Sequence, residues 1–149
     1  MKKQTRRKFI KATALTAGTL VISKSLLAQN QFTLSGIAHP YPDEWLPDGI
    51  RSRFVDNVNG LRFHVLEAGY ETPNRPALLL LHGFPELAYS WRSVMQPLAD
   101  AGYHVFAPDL RGYGRTTGYD SNYDADLTPF RMLNKVRDCV GLVYAFGYE

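Results

Sequence analysis

The tetrad His82-Gly83-Phe84-Pro85 closes the apolar run Ala77-Leu78-Leu79-Leu80-Leu81. Imidazole is the side chain best suited to moving protons near neutral pH, so His82 is the first candidate for acid–base work. A second unusual segment, Asp109-Leu110-Arg111-Gly112-Tyr113-Gly114-Arg115, follows the run His104-Val105-Phe106-Ala107 and its closing Pro108. Cys139 is the one thiol. It lies on the apolar side of a helical stretch with no base suggested nearby, so it reads as an inert core residue rather than a nucleophile. No cofactor or metal motif occurs, and a single cysteine excludes a Cys-cluster zinc site, so neither a cofactor nor a metal is expected.

The elements that must hold these residues alternate between strand and helix. Arg53–Val58 and Leu61–Leu66 flank Asn59-Gly60, the strongest short hairpin signal. Ala77–Leu81 is a continuous apolar run of strand length between Pro76 and His82, which suits a strand covered on both faces. A helix is expected near Ser90–Ala101, with Ser90 as N-cap, Gly102 as stop and a kink or break at Pro97. His104–Ala107 reads as the next strand. Thr128-Pro129 is expected to open the last helix, whose apolar stripe is Met132/Leu133, Val136, Val140 and Val143 and whose end is Gly147. A strand–helix–strand crossover makes the two apolar strands parallel. Ligands of open parallel sheets bind beyond the carboxyl ends of the strands, so both unusual loops meet at one edge.

From His82 onward the series is specific. His82-Gly83-Phe84-Pro85-Glu86, Tyr89-Ser90-Trp91-Arg92, Ala107-Pro108-Asp109-Leu110-Arg111-Gly112-Tyr113-Gly114-Arg115 and Val140–Ala145 to Gly147-Tyr148-Glu149 resemble the α/β-hydrolases, in particular their epoxide hydrolase branch. The resemblance runs from about Arg51 to the last residue, and the hairpin fits the first two strands of that fold. It implies an oxyanion loop at His82–Pro85, with the Phe84 N–H as one donor, its ring lining the pocket and a cis peptide before Pro85. Ester chemistry builds negative charge on an oxygen, and fixed N–H groups stabilise it without reorganising. Gly83 leaves the main chain open to close approach. The resemblance also implies that His82 is structural, because the family's base is another histidine much later in the chain. Trp91 and the tyrosines are read as packing residues, and Asp109 and Arg111 as braces of their loop.

Neither a Gly-x-Ser-x-Gly turn nor a Gly-x-Asp equivalent occurs. By resemblance, the nucleophile, its carboxylate partner, the catalytic histidine and the substrate-selecting cap would all lie beyond Glu149. The expectation is therefore the first four strands of an α/β-hydrolase fold, incomplete and truncated before the nucleophile strand. Such a piece is expected to leave Ala77–Leu81 as a bare, aggregation-prone edge, to fold poorly and to open no epoxide. The complete protein is expected to turn over a small-molecule substrate through an Asp ester. Alternatives are a dehalogenase of the haloalkane or fluoroacetate type, a serine esterase, or a non-catalytic exported binding protein.

Charge separates the chain into a leader and a body. Of 17 Lys and Arg, seven fall in Met1–Ala28, which has no acid; the other 10 face 14 Asp and Glu, a net of −4. The body therefore lacks the basic surface a nucleic-acid partner requires. Thr5-Arg6-Arg7-Lys8-Phe9-Ile10-Lys11 resembles the twin-arginine export signal, with Arg6 and Arg7 read by the export machinery. The following block, Ala12–Ile22, shows no 3.6-residue stripe, which argues against a basic amphipathic arm. Cleavage is expected after Leu26-Leu27-Ala28 or at Ser23-Lys24-Ser25. The organisation expected is a signal peptide over 1–28, a Pro-rich linker over 29–50 and the hydrolase part over 51–149. Export to the periplasm or medium follows, without a stable membrane span, because no apolar run reaches about 18 residues.

Overall fold

The computed structural model describes residues 38–149, so the leader, with Arg6 and Arg7, and most of the linker lie outside the described residues. A four-stranded mixed sheet is built from β1 (Ile50–Val58), β2 (Leu61–Ala68), β3 (Ala77–Leu79) and β4 (His104–Pro108), in the order β1-β2-β4-β3. Two helices complete the described residues: α1 (Arg92–Asp100) between β3 and β4, and α2 (Met132–Ala145) after β4.

Asn59-Gly60 joins β1 to β2 with Val58 opposite Leu61, and both turn residues take positive φ, 48° and 75°. Positive φ at both central positions is the type I′ turn whose twist matches the strands. β2 pairs antiparallel with β4, and β3 parallel with β4 through Ala77–His104, Leu78–Val105 and Leu79–Phe106. The parallel crossover expected from the alternation is present.

Successive side chains of β2 and β4 point to opposite faces, and both faces are covered. Leu66, Ala68, Val105 and Ala107 pack with Met95 and Ala99 of α1. Phe63, Val65 and Phe106 pack on the other face with Val58 and Leu142 of α2. The sheet is thus the middle layer between two helices.

Several expectations change. β1 begins at Ile50, and Leu46 and Ile50 are buried in the α1-side core, so the last part of the presumed linker is a core element. β3 is three residues long, an outer strand only half buried, and Leu81 is 43% exposed. Its side chains still reach both layers, Leu78 the α1-side core and Ala77 and Leu79 the α2-side core, but among the described residues it has a strand partner along one edge only.

The first helix opens with a 3-10 turn at Ala88–Trp91, and Ser90 Oγ donates to Leu87 O instead of capping α1. α1 runs through Pro97 unbroken. The bond that Pro97 cannot make would go to the Ser93 carbonyl, and both residues are exposed, so water can satisfy it.

Thr128–Phe130 forms a separate 3-10 turn, and extended Arg131 (ψ 150°) interrupts it, so α2 begins at Met132. Most of the α2 stripe faces outward. Leu133 is 78% exposed, and Met132, Val136 and Val140 are also exposed, whereas Asp138 and Leu142 face the sheet and Val143 packs beside them. A buried ion pair sets this rotation: Arg111 grips Asp138 through Nε (2.9 Å) and Nη2 (2.7 Å), and Asn59 Nδ2 donates to it at 2.7 Å. Gly141 lets the helix settle on Val58, whose Cγ1 lies 3.0 Å from where a Cβ would be. Cys139 is only half-buried, and burial, with Asp138 close by, raises its thiol pKa.

Candidate functional site

Both chemistry-bearing loops leave the sheet at the carboxyl ends of β3 and β4, which run parallel side by side. Between them lies His82, which is buried. Leu110 N–H donates to His82 Nε2 (2.9 Å), so the ring proton sits on Nδ1 and is given to Gly83 O at 2.8 Å. Both ring nitrogens are therefore engaged by the two loops. The side chain staples them together, and its free capacity for proton transfer is taken up.

The Phe84–Pro85 peptide is cis, as the resemblance implied. Glu86 N–H closes the turn on Gly83 O at 3.0 Å. Phe84 is 85% exposed, and among the described residues its N–H enters no backbone hydrogen bond. A Cβ added at Gly83 would meet nothing within 4 Å, so the space in front of this glycine is open. An open depression adjoins the loop, lined by Pro85, Glu86, Leu87, Tyr89, Ser90 and Arg92.

The second loop is organised by Asp109, which is fully buried. Its Oδ1 accepts Ala88 N–H (2.9 Å), while Oδ2 accepts Arg115 N–H (3.0 Å) and His64 Nδ1–H (2.8 Å). Burial alone would raise its pKa. The bonds from His64 and the two amides outweigh that and hold the carboxyl below its ordinary 3.8. Gly112 (φ 74°) and Gly114 (φ 52°) shape the turn, and a side chain at Gly114 would collide with the Asp109 carboxylate. Asp109 and Arg111 brace this loop, as expected, though Arg111 does so through Asp138 of α2.

Sequence reasoning missed two buried polar clusters. In the first, Ser52 Oγ accepts Tyr41 N–H (2.8 Å) and meets His64 Nε2 at 2.7 Å, extending the His64–Asp109 pair into a relay. In the second, Glu67 accepts Arg51 Nε (2.9 Å), Arg53 Nε (2.7 Å) and His104 Nε2 (2.8 Å). Burial pushes the Glu67 carboxyl up, but the two arginines and the hydrogen bond from His104 outweigh it and hold it below 4.5. The signal available was His64 and Glu67 among the apolar residues Phe63, Val65, Leu66 and Ala68, since a polar group there must have a partner. Among the described residues, no group of three His, Cys, Asp or Glu could hold a metal ion, and no helix is long and apolar enough to cross a membrane.

With this geometry in place, comparison with known proteins decides the architecture. The alpha/beta hydrolase fold family model matches residues 76–143, from the start of β3 to near the end of α2. The fold is that of an α/β-hydrolase. Its relatives are similar in sequence as well: epoxide hydrolase A of Mycobacterium tuberculosis is 46% identical over 97 residues, 65% of this chain and 28% of that protein. Epoxide hydrolase A from Mycobacterium thermoresistibile superposes with a TM-score of 0.58 at 41% identity, covering 67% of this chain and 29% of that one. Potato epoxide hydrolase I from Solanum tuberosum gives 0.56 at 46% identity, with 66% and 28% covered. Over about two thirds of its length the chain is thus similar to epoxide hydrolases, and it spans less than a third of the length of these relatives.

Proposed function

We propose that this chain is the amino-terminal part of an exported epoxide hydrolase that acts on a small-molecule substrate. The observation that carries the reading is the His82–Pro85 loop: an exposed Phe84 whose N–H makes no backbone hydrogen bond and an open Gly83 at the carboxyl edge of β3, in a chain 46% identical to an epoxide hydrolase over 97 residues. In the reaction proposed, an Asp carboxylate from a segment following Glu149 attacks an epoxide carbon. The carbon–oxygen bond breaks, and the released oxygen takes a proton from a donor in that later segment. A histidine from the same segment then activates water, which adds to the ester carbonyl. The charge on the carbonyl oxygen is met by the Phe84 N–H, and collapse releases the diol and restores the carboxylate. A donor of this kind is worth about 2.7–4 kcal/mol in the transition state. His82 takes no proton in this scheme; it holds the loop. The leader, through Arg6 and Arg7, would deliver the folded enzyme to the periplasm or medium.

The test is to extend the polypeptide through the segment after Glu149 and measure conversion of an epoxide to its diol. Turnover by the extended protein and none by residues 1–149 supports the reading. The first fifteen or so codons after Glu149 sort the alternatives: Asp-Trp at a sharp turn fits the epoxide branch, Asp-Arg a dehalogenase and Ser an esterase. A stop codon there favours a non-catalytic binding protein.

A further inference from the structure

We infer that the strap His39–Trp45, which precedes the sheet, is a positioning element of the candidate site: Tyr41 seals the Ser52–His64–Asp109 relay, and the relay fixes both loops at the sheet edge. For its catalytic consequence this rests on the hydrolase reading above. The strap lies outside residues 76–143, which match the family model.

The strap is tied down at three places. Tyr41 N–H donates to Ser52 Oγ of β1 at 2.8 Å. Arg115 at the end of the second loop donates Nε to His39 O (3.0 Å) and lays its guanidinium 3.6 Å from the centre of the Tyr41 ring. Tyr89, in the turn after the first loop, donates its hydroxyl to Trp45 O at 3.1 Å and packs on Tyr41 at 5.4 Å. The Tyr41 ring also stands edge-on to buried His64, with centroids 5.2 Å apart. One residue thus contacts β1, the relay and the neighbours of both loops.

A carboxylate only accepts, so His64 Nδ1 carries the proton given to Asp109. In the neutral ring with its proton on Nδ1, Nε2 accepts from Ser52 O–H. The Ser52 oxygen is correspondingly free to accept Tyr41 N–H. At the far end, Asp109 accepts the amides of Ala88, three residues past the first loop, and Arg115, the last residue of the second. These bonds are strong because water is kept out, and admitting water replaces each with a competing bond of similar worth. Removing the Tyr41 ring opens that route at the relay and takes one partly buried ring from the α1-side core, whose fully buried members stay in place.

The test is amide hydrogen exchange on the full chain, comparing wild type with Tyr41→Ala and Tyr41→Phe. Tyr41→Ala is expected to accelerate exchange at Ala88 and Arg115 by about tenfold or more while Phe63 and Val105 stay within about twofold. Tyr41→Phe, which keeps the ring and the amide, is expected to restore wild-type rates. Unchanged exchange at Ala88 and Arg115 in Tyr41→Ala overturns the inference. So does equal acceleration of all four amides, which would make the strap a general stabiliser. In wild type, a His64 Nδ1–H that exchanges like that of a free imidazole overturns it without any variant. In the extended enzyme, Tyr41→Ala is expected to lower kcat about tenfold, with KM changed less than about twofold. Absence of turnover in the wild-type enzyme sinks the hydrolase reading, while the exchange rates decide the strap on their own.

Discussion

Asp109 and Glu67 each carry two oxygens into the protein interior, and each is met there by three donors. Their folded-state values lie below the ordinary 3.8 and 4.5, so below that range the unfolded chain binds more protons than the folded one. The stabilisation they give is therefore complete above those ordinary values and is lost as pH falls through the lower folded values. Urea midpoints should hold steady from about pH 7 to about pH 5 and drop towards about pH 3. Glu67→Gln should make that drop shallower while lowering stability at neutral pH, because Arg51, Arg53 and His104 then face an uncharged group. At this scale the sequence was partly legible. The His82–Pro85 tetrad, the hairpin Asn-Gly and the braces Asp109 and Arg111 are local patterns with local consequences. The partners of His64, Glu67 and Asp138 lie 12 to 79 positions away, and no spacing rule reaches that far.

Helix α2 shows how element type and element orientation part company. Its period was readable, and the stripe Met132/Leu133, Val136 and Val140 is continuous, yet those residues face outward. A helix turns to satisfy its most demanding contact, and an Asp held by an Arg fork and an amide outweighs a row of valines. Leu142→Ala, at a fully buried position, should cost about 2–5 kcal/mol. Leu133→Gln, on the outward stripe, should stay within about 0.5 kcal/mol in the same denaturation series. If the stripe were the packed face, those two results would be reversed. The two 3-10 turns are a related lesson. Ser90 and Thr128 are good cap residues by type, but helix starts depend on where the incoming chain is tied, here at Asp109 through Ala88 and at extended Arg131.

For the whole molecule, the charge division sets one prediction apart from the fold. Arg presents a planar fork that Lys does not copy, so replacing Arg6 and Arg7 with Lys should retain the protein in the cytoplasmic fraction, as read by cell fractionation. Unchanged export would remove the twin-arginine assignment and leave the hydrolase fold untouched. The sequence by itself determined the alternation of strands and helices, the parallel β3–β4 pair and the loops gathered at one edge. It could do so because periodicity and turn chemistry act over a few residues. Only the tertiary structure decided that α2 presents Asp138 to the sheet, that His82 is spent holding two loops together, and that Tyr41 covers a relay ending at Asp109. Those outcomes depend on which buried polar groups find each other across the sheet, and burial makes an unpaired one costly enough to override local preference.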